Sequence, residues 1–166
     1  LVFVTLLGFG LASAFIFIQR AFNKGLEDPT ELEEIGIPVY ATIPQSQNLL
    51  NKKPSSMKAK RTDPDLLAVE YPTDLAVEAF RSLRTSLHFA MLDAKNKVVA
   101  ISGPSPGIGK SFISANLGAV IAQSGKQVLI IDADMRRGYL HQTLNLSNQF
   151  GLSDLLSGQS SVQDVT

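Results

Sequence analysis

An uncharged apolar run forms the beginning of the chain. Residues 1–18 read LVFVTLLGFGLASAFIFI, in which Thr5 and Ser13 are the polar side chains. A run of this length reaches the lower limit for crossing the hydrocarbon core of a bilayer. The basic residues Arg20 and Lys24 that follow favour a cytoplasmic downstream chain. We therefore predict a transmembrane helix over 1–18, with a buried helix or a secretory signal as alternatives. A signal should begin with Met and a basic region, whereas the missing Met suggests a protein that extends upstream.

Polar and short patterned stretches make up residues 19–70, which we interpret as a juxtamembrane segment and linker. Asp28 and Pro29 have the form of a helix start, and Gly36 would end that short helix. Residues 38–44, bounded by prolines, are a strand candidate. The polar part that follows is either a solvated linker or a basic stretch held near anionic lipid. Its basic residues are Lys52, Lys53, Lys58, Lys60 and Arg61.

Pro72, Thr73 and Asp74 open a helical pattern. Apolar residues recur at spacings of three and four, which predicts an amphipathic helix. They are Ala76, Phe80, Leu83, Leu87 and Ala90. Glu78, Arg81 and Arg84 lie three residues apart beside this stripe, so they form a slanting row on one flank. The row is either an ordinary solvated helix edge or a surface that pairs with a neighbouring subunit.

A strand candidate over 97–102 leads into a glycine-rich loop over 103–111, and a helical pattern follows over 112–124. A strand, such a loop and then Gly-Lys-Ser at a helix start are the context of a P-loop. Lys110 would meet the β and γ phosphates of a nucleotide, and the Ser111 hydroxyl suits Mg²⁺. The strict motif wants glycine where Pro104 stands, but the core Gly-Ile-Gly-Lys-Ser is intact. The predicted nucleotide-lining residues are Ser105, Pro106, Gly107, Ile108, Gly109, Lys110, Ser111 and Phe112.

A second buried strand is predicted over 127–131, where the apolar run ends in two acids, Asp132 and Asp134. Alternate residues of a strand share one side, so the two carboxylates would face the crevice beside the P-loop. There they could hold Mg²⁺, and one could accept a proton from an attacking hydroxyl. The sequence thus predicts an α/β P-loop NTPase fold with a parallel sheet.

Composition narrows the function further. The chain has 15 basic and 15 acidic residues, so it shows no overall attraction to nucleic acid. It contains two histidines and no cysteine. The absence of cysteine excludes disulfide scaffolds, thiol nucleophiles and cysteine-ligated metals. The hydrophobic fraction of 45% argues against a wholly disordered chain.

Several motifs together resemble one family, the bacterial tyrosine kinases (BY-kinases) of capsule and exopolysaccharide export. VLIIDADMRRG at 128–138 is similar to their second Walker motif, and SGPSPGIGKS at 102–111 to their first. EAFRSLR at 78–84 matches their E-x2-R-x2-R motif, and GIPV at 36–39 fits their juxtamembrane region. Tyr139 matches an internal regulatory tyrosine. The family's later Walker B motif and tyrosine cluster are not in this sequence, which therefore resembles an internal fragment.

The resemblance implies an inner-membrane kinase that uses ATP and Mg²⁺ and has its kinase domain in the cytoplasm. Residues 71–166 would form the N-terminal part of that domain. The resemblance makes Lys110, Asp132 and Asp134 catalytic, with Asp132 as the base and Asp134 as a metal-side carboxylate. Glu78, Arg81 and Arg84 would then join subunits into a ring. The implied partners are further copies of the chain, the polysaccharide export machinery, a tyrosine phosphatase and the lipid bilayer, but not nucleic acid.

Two other functions remain open from the sequence. Membrane-positioning ATPases of the septum-site or plasmid-partition kind share this P-loop class, but they carry a signature lysine where this chain has Ser105. A non-enzymatic chain-length regulator of polysaccharide export, in which the nucleotide site gates assembly, is the third hypothesis. Formation of phosphotyrosine would separate it from the kinase.

Overall fold

The structure, a computed structural model, describes Thr5 and residues 8–10, 13–15, 28–51 and 66–165. Two compact units divide the chain, Leu1–Val39 and Tyr40–Thr166. Among the described residues, no helix combines the length and apolar character needed to cross a membrane. Much of 1–18 lies outside those residues, so the transmembrane helix stays a prediction. The basic stretch from Lys52 to Arg61 also lies outside them.

The first unit contains a short helix, α1, over Thr30–Glu34. Asp28 Oδ1 accepts a hydrogen bond from the Thr30 amide at 3.0 Å, which satisfies a free N–H at the helix start. Gly36, with φ of +84°, ends the helix, and its amide donates to the Glu33 carbonyl at 2.9 Å. The predicted helix and its stop at Gly36 are confirmed.

Helices dominate the second unit, Tyr40–Thr166. Helix α4 begins directly after Asp74, as predicted, and α5 begins at Lys110, two residues before the predicted Phe112. The elements in chain order are α2 (Gln47–Asn51), α3 (Leu67–Glu70), α4 (Leu75–Ala90), α5 (Lys110–Gln123), α6 (Leu140–Thr143), α7 (Leu152–Leu156) and a 3₁₀ turn (Val162–Asp164).

The core of this unit forms where α4 and α5 pack together and α3 joins them. Phe80 is fully buried, and its ring lies 5.9 Å from the ring of Phe112. Burying a side chain of this size contributes about 1.5–3 kcal/mol. Leu67, Val77 and Val120 are the other large apolar side chains of this cluster that are fully buried. Residues that the pattern assigned to the linker thus belong to the same hydrophobic cluster as the P-loop helix.

The predicted stripe on α4 is buried along most of the helix but not at its end. Ala76 and Phe80 are fully buried, and Leu83 and Leu87 are half-buried against the core. Ala90 is exposed, and so are the large apolar side chains beside it, Phe89 and Leu92. The last turn of α4 therefore extends beyond the surface that α5 covers.

Strands were predicted over 38–44, 97–102 and 127–131, and the described part of the chain contains none. A strand requires backbone hydrogen bonds to a neighbour, and those described join none of these segments to another. The Val98 amide instead donates to Asn96 Oδ1 at 3.1 Å. The run 127–131 is also not buried on both faces, since Leu129 is 69% exposed while Ile130 packs beside α5. Helix packing holds these segments from one side, and the residues that the structure describes form no parallel sheet.

Asp74 ties the chain before α3 to the start of α4. Its Oδ1 accepts from the Ala76 amide at 2.9 Å, the N-cap interaction that the sequence pattern anticipates. Its Oδ2 accepts from Ser46 Oγ at 2.5 Å and from Asn48 Nδ2 at 2.8 Å. Ser46 and Asp74 are both buried. These hydrogen bonds, led by the one from Ser46, hold the pKa of Asp74 below its ordinary value.

Candidate nucleotide-phosphate site

The predicted phosphate loop ends in a left-handed residue that starts α5. Gly109 has φ of +97° and is the N-cap of the helix, and Gly107 also has a positive φ of +78°. Residues other than glycine rarely adopt this conformation. The Ile113 amide closes the first helical turn on the Gly109 carbonyl at 2.9 Å. The first amides of α5, from Lys110 on, therefore lack carbonyl partners within the helix and point toward its N-terminal end, where an anion would sit.

Lys110 bends back across this loop. Its Nζ donates to the Ser105 carbonyl at 3.1 Å, so the ammonium group lies beside the loop backbone rather than in open solvent. A positive charge in this place, next to free helix amides, suits the phosphate chain of a nucleotide. The role of Lys110 and the backbone lining from Ser105 to Phe112 stay predictions.

Asp132 is held by the loop that follows it. Its Oδ1 accepts from the Asp134 amide at 3.2 Å, and its Oδ2 accepts from the Leu140 amide at 3.1 Å, at the start of α6. Gly138 permits this closure, because a Cβ there would lie 2.9 Å from Asp132 Oδ2 and 2.8 Å from the Asp134 carbonyl oxygen. The carboxylate is therefore fixed in direction, and it retains lone pairs for a further partner.

Asp134 lies within electrostatic reach of the phosphate loop. Its Oδ1 accepts from the Arg137 amide at 3.0 Å and the Arg136 amide at 3.1 Å. These two hydrogen bonds, and then the charge of Lys110, hold the pKa of Asp134 below its ordinary value. A carboxylate with a lowered pKa remains ionised and is a weak proton acceptor. Asp134 thus suits cation binding better than general-base work.

The donor set here agrees with Mg²⁺ in kind. Mg²⁺ takes oxygen ligands, keeps several waters and is bound by one or two carboxylates together with phosphate oxygens. Ser111, in the first turn of α5, and the carboxylates Asp132 and Asp134 supply such oxygens. No group of three or more His, Cys, Asp or Glu side chains comes together in the described part of the chain, at this site or elsewhere.

A cavity of about 570 Å³ opens beside the two carboxylates. Its polar lining includes Asp132, Asp134, Arg136, His141, Ser147, Asn148 and Ser153. Its apolar lining includes Leu129, Ile131, Leu144, Leu146, Phe150, Leu155 and Val162. Tyr139 lies at the N-cap of α6, half exposed, directly before the residue whose amide binds Asp132. Tyr139 is therefore the immediate chain neighbour of the residue that bonds to the Asp132 carboxylate.

The charged row on α4 makes contacts within its own chain. Arg81 pairs with Glu78 and donates to the Pro72 carbonyl at 3.1 Å. Arg84 Nη1 lies 3.4 Å from the Val120 carbonyl, in the last turn of α5. A cation at a helix C-terminus meets the negative end of the helix dipole. Arg84 thus links α4 to the P-loop helix, whereas Glu78, 60% exposed, is the most open member of the row.

Sequence reasoning missed the polar residues that support this site. Asn116 and Gln123, on α5, both bind the backbone of Ala68. A polar residue within the apolar pattern of α5 was the available signal for Asn116. The partner, 48 positions away, could not be read from the pattern. Gly138 was likewise missed, because its requirement follows from the closeness of two carboxylate-bearing residues.

The loop, its helix and the two acids define a P-loop nucleotide-binding domain. In agreement, residues 99–153 match the CbiA family, described as the CobQ/CobB/MinD/ParA nucleotide binding domain. The kinase domain of Escherichia coli tyrosine kinase ETK is a structural neighbour, with a TM-score of 0.75 and 48% identity. The match covers 84% of this chain and 55% of that structure.

More particularly, the homologues of this chain are named bacterial tyrosine kinases. It is 49% identical over 162 residues to the tyrosine-protein kinase wzc of Salmonella typhimurium and 46% identical over 168 residues to the tyrosine-protein kinase etk of Escherichia coli K12. These alignments cover 95% and 96% of the chain. The chain spans 22% and 23% of the length of those relatives. The family resemblance carried by the motifs is confirmed.

Proposed function

We propose that this chain supplies the nucleotide-binding part of an ATP-dependent, autophosphorylating protein tyrosine kinase. The observation that carries the proposal is the phosphate loop, in which the left-handed Gly109 begins α5 and Lys110 Nζ bonds back to the Ser105 carbonyl. This combination serves phosphoryl transfer, which depends on positioning and charge stabilisation around the phosphates. The names of the relatives support a tyrosine hydroxyl as the acceptor.

Each site residue has a proposed role. The backbone over 105–112 and the Lys110 ammonium hold the phosphate chain, and ATP supplies the transferable phosphoryl group. Ser111 and Asp134 hold Mg²⁺, which neutralises developing charge. Asp132, directed by the Leu140 amide, accepts the proton of the acceptor hydroxyl at a carboxylate oxygen. Asp134 is assigned to the cation and Asp132 to the proton because the pKa of Asp134 is lowered, and a carboxylate that stays ionised is the better cation ligand.

The acceptor is proposed to be a tyrosine of a neighbouring copy of the chain. The cavity beside Asp132 and Asp134 combines carboxylates with an apolar lining, which suits an aromatic ring that carries a hydroxyl. Head-to-tail contacts through Glu78, Arg81 and Arg84 would close such copies into a ring. Tyr139 is proposed as an internal regulatory tyrosine, because it adjoins the amide that holds Asp132.

The proposed setting is the bacterial inner membrane, with the kinase part in the cytoplasm. There the protein would regulate polymerisation or export of capsular or extracellular polysaccharide, together with the export machinery and a tyrosine phosphatase. One relative, from Klebsiella pneumoniae, is named for a cps region. The neutral charge balance of the chain supports protein and lipid partners over nucleic acid.

Replacement of Lys110 tests the proposal. In the native-length protein, we expect Lys110→Met to abolish ATP-dependent phosphotyrosine, because the positive charge at the phosphate loop is lost. Phosphotyrosine is measured by immunoblot after incubation with ATP and Mg²⁺. Lys126→Met, which removes an exposed lysine just after α5, is the matched control and should leave the signal unchanged.

Two results would contradict the kinase. One is a wild-type phosphotyrosine signal from Lys110→Met. The other is ATP binding by the wild-type protein without any phosphotyrosine, which would favour the non-enzymatic chain-length regulator instead.

A further inference from the structure

A buried amide lies on α5 beyond the phosphate loop. The Asn116 side chain is 1% exposed. Its Nδ2 donates to the Phe112 carbonyl at 2.9 Å, in the first turn of the helix. Its Oδ1 accepts from the Ala68 amide at 2.9 Å, at the start of α3. One side chain thus joins the turn that follows the phosphate loop to the core of the unit.

A second amide completes the connection. Gln123 Nε2 donates to the Ala68 carbonyl at 3.1 Å, so α5 binds both backbone polar groups of Ala68. Asn116 and Gln123 lie seven positions apart, which places them on one face about two turns from each other. Ala68 is fully buried between them and the rest of the core. We call this arrangement, formed by Asn116, Gln123 and Ala68, the Ala68 clamp.

Apolar packing of α5 against α3 does not require the hydrogen bonds of the Ala68 clamp. A buried amide is costly unless hydrogen-bonded, and asparagine is a poorer helix former than leucine. The neighbours of Asn116, Ala115 and Leu117, provide non-directional packing. A hydrogen bond is directional, so it fixes the axial position and the rotation of α5 against α3. The two arms fix different parts of the helix, since Asn116 binds near the first turn and Gln123 is its last residue.

We propose that Asn116 is a positioning residue for nucleotide binding. By holding the Phe112 carbonyl and the Ala68 amide together, it keeps the first turn of α5 in place before the nucleotide arrives. That turn begins with Lys110 and Ser111, which the proposed function assigns to phosphate and Mg²⁺. Preorganised donors bind better because no reorganisation is needed on binding. The inference rests on the proposed ATP site and adds a residue that does not touch the ligand.

The two arms of the clamp provide a matched pair of variants. Asn116→Ala and Gln123→Ala each remove one side chain from Ala68, and both should lower the melting temperature. In the native-length protein, we expect Asn116→Ala to raise the Kd of a fluorescent ATP analogue about tenfold, equivalent to about 1.4 kcal/mol. Gln123→Ala should leave the Kd within about twofold, because its arm lies at the far end of α5. Titrations are made well below the melting temperature of each variant.

Hydrogen exchange gives a second readout that needs no nucleotide. In Asn116→Ala, the helix-bonded amides of residues 113–115, beginning with the Ile113 amide on the Gly109 carbonyl, should exchange faster than in the wild type and in Gln123→Ala. If Asn116→Ala does not fold, Asn116→Ser takes its place. A serine can still bond to the carbonyl four residues earlier, as Ser114 does to Lys110 at 2.9 Å, but it is too short to reach Ala68.

The outcomes are distinct. An unchanged Kd in Asn116→Ala, or the same rise in Gln123→Ala, would overturn the positioning role and leave the clamp a stabilising contact. Equal exchange at residues 113–115 in the two variants would overturn it as well. If the wild type binds no ATP while the exchange difference is present, the proposed function fails and the effect of Asn116 on the first turn of α5 stands.

Discussion

Replacement of Asp74 should separate the N-terminal part of the second unit from the core. Asp74→Ala removes the N-cap of α4, which typically costs about 0.5–2 kcal/mol. It also leaves the buried Ser46 hydroxyl without its acceptor, and an unsatisfied buried group costs about 1–3 kcal/mol. Asn48 is exposed and can turn to water. The expected loss in the free energy of unfolding is therefore about 2–4 kcal/mol.

Asp74→Asn is the matched control. Its amide oxygen can still accept from the Ala76 amide, and asparagine is a good N-cap. The amide nitrogen that replaces the second oxygen cannot accept from Asn48, while the Ser46 hydroxyl can reverse and accept instead. The loss should thus be smaller than for alanine, about 1 kcal/mol.

The pH dependence of unfolding gives an independent check. The pKa of Asp74 is lowered in the folded state, first by the Ser46 hydroxyl, from an ordinary value of 3.8. The stabilisation is therefore fully present above the unfolded pKa and is lost as the pH falls through the folded pKa. Urea unfolding followed by circular dichroism should show a gap between wild type and Asp74→Asn at pH 7 that narrows in acid. A gap that widens below pH 4, or an alanine variant as stable as the wild type, would refute the reasoning.

The other predictions concern the site and the proposed assembly, all in the native-length protein. Asp132→Asn should reduce phosphotyrosine formation about 10²–10⁴-fold with little change in ATP affinity, whereas Asp134→Asn should raise the Mg²⁺ concentration needed for activity. If both variants turn over as fast as the wild type, the two carboxylates have no role in catalysis. Tyr139→Phe should lower activity toward an added tyrosine peptide, because phenylalanine cannot carry the phosphate that would add about −1.5 to −2 charge beside Arg136 and Arg137. Equal activity of the variant, with no phosphate found on Tyr139 of the wild type by mass spectrometry, would contradict the regulatory role of Tyr139. Glu78→Ala should reduce the oligomer mass measured by light scattering while costing under about 1 kcal/mol of stability, whereas Arg84→Ala should also lower the melting temperature, since Arg84 bonds to the Val120 carbonyl. An unchanged mass in both variants would show that the charged row is a solvated helix edge and not a subunit interface.

Local patterns were sufficient to predict α1, α4 and α5 and the glycine-rich loop before α5. Asp74 before an apolar stripe, and Gly109 before Lys110 and Ser111, mark helix starts through short-range hydrogen bonding and backbone preference. Such signals act over a few residues, so they survive in the structure whatever surrounds them. The family followed from several such motifs in one order.

The strands and the partners of the site residues depended on tertiary structure. An apolar run such as 127–131 becomes a strand only when a neighbour supplies backbone hydrogen bonds, and its composition does not determine whether one is present. The support of the site likewise comes from distant pairs, Asn116 with Ala68 and Arg84 with Val120. The sequence by itself determined where the phosphate loop lies and which residues carry its charge. The packing of α3 and α4 on α5 decided what holds that loop in place, because those contacts join positions tens of residues apart.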